Sequence, residues 1–399
     1  MLLLDDWHLI DTYNYMKYCK NCLTTDLRPN SSFVDGVCIA CRYSNSIEPD
    51  EEKYRLKLNQ LKQSITQSRR KQSKNTKKAQ YDCIVGVSGG KDSTRQAHWV
   101  RDRLGLRPLL VCCAYTPKQM SQVGADNLSN LIEMGFDLMT ATPAPKTAAK
   151  LALDSFIQFG NVCKSTEMAL FSTVPRLAIE LGVSTIFWGE NPALQVGDSA
   201  VEGLDEFDGS NLRKLNTLTD GGNEWLSNAV KAPYKAHHYF YPDEYEFNKK
   251  KIKIFYLGPA WDDWSNENNA TYAALNGLSL RPFDEHETGD ISNASMLDEE
   301  FTNINMMLKY FKFGFGRTTD LLCEKIRDGE MTRTQAIPIA QEFDGVCADT
   351  IIKRFADYVG ITVEEFWDIT NRWVNPKIFK IRAQARPVPK FTVGVDYAG

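Results

Sequence analysis

The chain has 399 residues, a formal net charge of −4, and 43% hydrophobic and 25% charged residues. Those are the proportions of an ordinary globular protein with room for two to three domains of about 150 residues. The acidic balance argues against a protein built for duplex nucleic acid, and no run approaches the ~18 apolar residues that a membrane-spanning helix needs.

Met1-Leu2-Leu3-Leu4-Asp5-Asp6 lacks a basic n-region, so no signal peptide and a cytoplasmic, reducing location are expected. Thiols there serve as metal ligands, reactive groups or core residues rather than disulfides. Cys19-x-x-Cys22 and Cys38-x-x-Cys41 stand fifteen residues apart, with Pro29, Asn30 and Gly36 supplying turns between them. Two such turns can complete a tetrahedral four-sulfur site, which has no open position for water. A structural zinc knuckle is the expectation over residues 1–45.

Residues 48–66 predict a helix, with Leu58, Leu61 and Ile65 at helical spacing and Glu51 and Glu52 near its start. Arg69 to Lys78 is basic and free of apolar residues; it reads as a solvated linker, or as an attraction for a phosphorylated substrate or acidic partner. From Tyr81 strands and helices alternate, with strands expected at 81–87, 108–115, 137–142 and 184–188. Gly105, Gly135 and Gly182 stand where a helix would stop. The fold class that follows is α/β, a parallel doubly wound sheet with helices on both faces.

Ser88-Gly89-Gly90-Lys91-Asp92-Ser93 falls between the first strand and a helix expected over Thr94–Leu104. Adjacent glycines let the backbone turn its N–H groups toward one point, and the following helix start adds partial positive charge. Lys91 and the hydroxyls of Ser88 and Ser93 complete a cradle for phosphate. The G-x-x-x-x-G-K-[ST] pattern is not met, because Val85 and Asp92 occupy its first-glycine and hydroxyl positions. Kinase- or GTPase-type γ-phosphoryl transfer is therefore disfavoured.

Cys163 lies in Gly160-Asn161-Val162-Cys163-Lys164 and reads as an active-site thiol or a helix-packing one. Cys83, Cys112 and Cys113 read as core, and His237 and His238 as surface residues. Residues 191–250 look irregular, 251–258 read as a further strand, 262–373 as mostly helical, and the last 25 as an extended tail. The expected domains are the knuckle over 1–45, a helix and linker over 46–80, a nucleotide-binding α/β domain over 81–260, and a helical substrate or partner region over 261–399.

The glycine loop resembles the pyrophosphatase loop (PP-loop) of enzymes that split ATP between its α- and β-phosphates. Together with the Cys19–Cys41 knuckles, Phe187-Trp188-Gly189-Glu190-Asn191-Pro192-Ala193 and Lys312-Phe313-Gly314-Phe315-Gly316-Arg317, it resembles the N-acetyl sugar amidotransferase family of bacterial surface-polysaccharide (lipopolysaccharide O-antigen) and nonulosonic-acid pathways. The resemblance runs from about residue 16 to residue 373 and implies ATP, Mg²⁺ and Zn²⁺. The implied reaction converts an acetamido group on a sugar, free or nucleotide-linked, to acetamidino by adenylation and ammonia attack. No glutamine-hydrolysing constellation is visible, so the resemblance implies ammonia from a separate glutaminase with a barrel-type ammonia-conducting subunit, and no nucleic-acid partner.

On this reading Ser88, Gly89, Gly90 and Ser93 hold the β- and γ-phosphates, Lys91 neutralises the developing pyrophosphate, and Asp92 orients the loop or the metal. Gly189, Glu190 and Asn191 follow a strand and face the same crevice, with the last two positioning the amide or the ammonia, or merely capping a turn. Ala114 and Tyr115 lie near the adenosine or in the core. Lys312 and Arg317 meet a phosphate or sugar carboxylate, or form a solvated pair beside a kink. Trp261-Asp262-Asp263-Trp264 resembles a sugar-binding surface. Family members often carry a second cysteine three residues after the first, and Thr166 stands there, which puts a two-thiol mechanism in doubt. The competing readings are a PP-loop enzyme that thiolates transfer RNA and a non-catalytic nucleotide-binding scaffold for a glutaminase.

Overall fold

The computed structural model describes residues 15–29, 31–46, 51–73, 80–188, 222–230, 233–261 and 263–398. Short strands β1 (Tyr15–Met16), β2 (Phe33–Val34) and β3 (Val37–Cys38) precede helices α1 (Ile39–Ser46) and α2 (Glu51–Ser73). Helix α2 runs seven residues past the expected end, into the segment read as a linker. Lys, Arg and Gln are good helix formers, and no Gly or Pro interrupts them there; residues 74–79 of that segment lie outside the described residues.

The alternating region follows as β4 (Cys83–Gly86), α3 (Lys91–His98), β5 (Pro108–Cys113), α4 (Gln122–Glu133), β6 (Asp137–Ala141), α5 (Pro145–Phe159), α6 (Lys164–Leu181) and β7 (Thr185–Trp188). Helices α7 (Gly222–Ala229) and α8 (Glu244–Lys250) then lead to β8 (Lys253–Tyr256). The expectation of an irregular stretch to residue 250 thus needs correction. Asp243 and Glu246 form a capping box on α8, a start signal the sequence carried.

These five strands make one parallel sheet in the order β6-β5-β4-β7-β8. Alternate residues serve opposite faces, as period 2 requires. Val85, Leu110, Phe187 and Phe255 enter one core with Leu61 and Ile65 of α2, and Ile84, Val111, Ile186 and Ile254 enter another with Val174 and Ala178 of α6. The strand order reverses between β4 and β7, and ligands of such sheets bind beyond the strand ends at that point. Gln96 of α3 stands there fully buried, its Nε2 donating to the carbonyls of Gly86 at 3.4 Å and Phe187 at 3.2 Å. One side chain thereby ties the ends of both strands.

The rest is mostly helical: α9 (Asn266–Leu275), α10 (Glu285–Thr288), α11 (Thr302–Phe313), α12 (Arg317–Arg327), α13 (Arg333–Phe343), α14 (Asp349–Val359) and α15 (Val363–Asn371). The expected tail is instead a hairpin of β9 (Phe379–Arg382) and β10 (Ala385–Pro389), followed by β11 (Tyr397–Ala398), which pairs with β1. Phe379 and Phe391 are buried against Phe311 and Tyr310. The four knuckle cysteines share that core with Met16, Phe156, Phe311 and Phe355. None of the described helices is long and apolar enough to cross a membrane.

Candidate functional site

The glycine loop closes β4 at the switch between the two halves of the sheet. Gly89 takes φ +88°, and a Cβ there would lie 3.2 Å from the Gly124 carbonyl oxygen, so the turn requires glycine. Helix α3 begins at Lys91, three residues earlier than the sequence suggests, with Gly90 as its N-cap. Lys91 and Asp92 therefore sit in the first helical turn, where the free N–H groups and positive helix end favour an anion. Ser93 Oγ donates to the Gly90 carbonyl at 3.1 Å and lies 3.5 Å from the Ser88 nitrogen. Lys91 Nζ is 2.8 Å from Asp92 Oδ2, with Lys91 buried.

Two segments from beyond residue 260 reach this loop, and nothing in the sequence spacing announced them. Asn269 of α9 donates to Asp92 Oδ1 at 2.7 Å and accepts from Arg95 Nη1 at 2.7 Å. Asp298 receives a hydrogen bond from Tyr115 Oη at 3.0 Å and lies beside Ser88 and Lys91. The 298 segment runs so close to α4 that a Cβ on Gly124 would fall 2.7 Å from the Asp298 backbone. Burial pushes the Asp298 carboxyl above its ordinary range.

Glu299, next in the chain, accepts from Gln119 Nε2 at 3.2 Å, from the Phe301 nitrogen at 2.8 Å and from the Thr302 nitrogen at 2.5 Å. Burial, with the Asp298 carboxylate beside it, pushes Glu299 up to about 8. A carboxyl raised in the fold stabilises it fully below the unfolded value near 4.5 and loses that contribution as pH climbs through about 8. Stability should therefore fall between about pH 5 and 8, and Glu299→Gln should flatten that slope in thermal melts across the range. An unaltered slope in the variant would show that another group governs it.

Cys163 stands at the N-cap of α6, buried, its Sγ 4.0 Å from Glu299 Oε1 and 3.9 Å from Thr302 Oγ1. Burial first, then the carboxylates of Glu299 and Glu167, hold the thiol well above its usual range, so it acts here as a hydrogen-bond donor rather than a thiolate. Thr166 faces the same network, accepting from Gln119 Nε2 at 3.4 Å.

Other candidates fall elsewhere. Ala114 is buried at the end of β5, in the same core as Val85 and Leu110. Trp261 is not a surface residue: it is 3% exposed, packs at a tilt against Trp99 and lies under the Arg95 guanidinium at 4.7 Å. Lys312 is not solvated either. Its Nζ donates to the Phe159 carbonyl at 2.5 Å and sits 5.1 Å from the Trp373 ring, and burial lowers it to about 7. The helix start at Gly316 and Arg317 already holds an anion, because Asp344 accepts from the Gly316 nitrogen at 3.0 Å and the Thr319 nitrogen at 3.1 Å. Gly189, Glu190, Asn191 and Asp262 lie outside the described residues.

The sulfurs of Cys19, Cys22, Cys38 and Cys41 all lie within 4.8 Å of one another and are buried. Backbone N–H groups of Asn21, Thr24 and Cys38 point at these sulfurs at 3.3–3.5 Å. Four converging thiols with amide donors behind them fit a closed zinc site.

Residues 293–390 match a family model described as LPS biosynthesis protein WbpG-like, C-terminal domain. That segment supplies Asp298, Glu299 and Asp344. No curated protein matches the chain. Among solved structures, one described as a predicted subunit of tRNA methyltransferase from Methanocaldococcus jannaschii is 14% identical, covering 57% of this chain and 86% of that one with a TM-score of 0.26, too low to bear on the reading. The chain is thus similar, over its C-terminal quarter, to a lipopolysaccharide-biosynthesis domain.

Proposed function

We propose that the protein is an ATP-dependent amidotransferase of surface-glycan biosynthesis that turns a sugar acetamido group into an acetamidino group. The observation that carries this reading is the Ser88–Ser93 loop at the sheet's switch point, met by Asp298 from the segment resembling an LPS-biosynthesis domain.

An amide is a poor electrophile, so its oxygen must first become a leaving group. In the proposed sequence that oxygen attacks the α-phosphorus of ATP and the bond to pyrophosphate breaks. The lone pair of ammonia then adds to the imidate carbon, and the C–O bond breaks with its electrons on AMP. Ser88, Gly89, Gly90 and Ser93 would cradle the leaving phosphates, and Lys91 would offset their charge. Asp92 and Asp298 are the carboxylates suited to hold Mg²⁺, which neutralises phosphate charge when bound. The Cys163 thiol, set among carboxyls with Thr166 beside it, suits a positioning role better than thiol chemistry, which favours amidine formation over transfer-RNA thiolation. Ammonia would come from a separate glutaminase.

The test is turnover with ATP, Mg²⁺, ammonium at raised pH and a panel of acetamido sugars. AMP, pyrophosphate and a product lighter by about one mass unit (NH replacing O) are expected. Release of ADP, or no turnover with any sugar, would overturn the reading.

A further inference from the structure

We infer that Asn269, outside the glycine loop by sequence, is the positioning residue that fixes how Lys91 and Asp92 meet nucleotide phosphate. The inference rests on the ATP reading above. Asn269 is fully buried and its amide is committed at both ends. Arg95 can only donate and the Asp92 carboxylate can only accept, so the amide has one admissible orientation. Arg95 is itself immobilised: Nη2 is 2.6 Å from Asp263 Oδ1, and the guanidinium lies 4.7 Å from the Trp261 ring and 5.4 Å from the Tyr272 ring. A rigid chain of contacts, Asp263–Arg95–Asn269–Asp92, therefore ends at the first turn of α3.

Its consequence is chemical. Asn269 occupies Asp92 Oδ1, so only Oδ2 remains for Lys91 Nζ, at 2.8 Å. A single-oxygen ion pair is easier to break than a two-oxygen one. An entering phosphate can then draw Lys91 away, while Asp92 stays anchored to α9 and cannot follow. Without the anchor, Asp92 is free to turn both oxygens on Lys91 and compete with the phosphate.

Three variants separate positioning from mere packing. Asn269→Ala removes both hydrogen bonds. Asn269→Asp keeps the acceptor that Arg95 needs but replaces the donor facing Asp92 with a like charge. Thr271→Ala, two residues further along on the exposed side of α9, is the control. Calorimetric titration with ATP and with AMP, alongside thermal melts, reads the outcome. The expected result is that Asn269→Asp still unfolds in one cooperative transition, at a melting temperature lowered by the buried like charge, yet binds ATP roughly tenfold or more weakly, with AMP affinity and the control unchanged. Equal weakening of ATP and AMP, or wild-type ATP affinity in Asn269→Asp, overturns the inference. Absence of ATP binding by the wild-type protein instead overturns the nucleotide reading, and the inference with it.

Discussion

Lys91→Ala is expected to leave a folded protein whose ATP-dependent pyrophosphate release is about 10²–10³-fold slower, the cost typical of deleting one preorganised charge at a site of developing negative charge. The side chain is buried at the first turn of α3, where the helix end already favours an anion, and among the described residues it forms an ion pair with Asp92. Losing that largely buried pair should cost the fold up to about 3 kcal/mol, with Asn269 still holding Asp92. Lys91→Arg should recover little, since a planar fork cannot replace a point charge in a turn built around two glycines. Single-turnover release of pyrophosphate, read beside a thermal melt, checks both halves. Wild-type rates in Lys91→Ala would remove the loop from the chemistry.

Removing the knuckle metal, or changing Cys22→Ser, is expected to unfold far more than the N-terminal segment. About one zinc per chain should copurify, and its loss should cost on the order of 5 kcal/mol or more, given the large binding energies of such sites. The reach comes from what the knuckle touches. Arg333 Nε donates to the Cys22 carbonyl at 3.1 Å, Thr25 Oγ1 to the Phe313 carbonyl at 3.2 Å, and Arg28 pairs with Asp320. Thr24 Oγ1 lies 3.5 Å from Cys323 Sγ on α12. Metal analysis and melts with and without a chelator measure the effect. A metal-free preparation with an unaltered melting temperature would show that the thiols need no ion.

What the sequence disclosed was local. The glycine loop, the two thiol pairs and the β-branched strands each declare themselves within a few residues, since turn chemistry and hydrophobic period act over that range. What it concealed was distant. Asn269 and Asp298 meet Asp92 and Ser88 across more than 170 residues, and no spacing rule marks an Asn or Asp for such a meeting. Trp261 and Lys312 misled for the opposite reason: as isolated residues they suggest exposure, whereas tertiary packing encloses both. The run Lys312–Arg317 looked ready for an outside anion because the carboxylate that fills it, Asp344, stands just past the end of α13.

The aromatic core described above has a bearing on how the C-terminal segment could be moved between proteins. Phe355 and Phe366 rest on Phe156 of α5, at 5.8 Å and 5.1 Å, and Gly314 abuts Met16 of β1. Residues 293–390 are therefore a stretch similar to a known domain whose core is completed by side chains from outside it. Excised alone, they would present a greasy face to water, and any graft onto another host would have to carry both a knuckle and an α5-like helix to cover it.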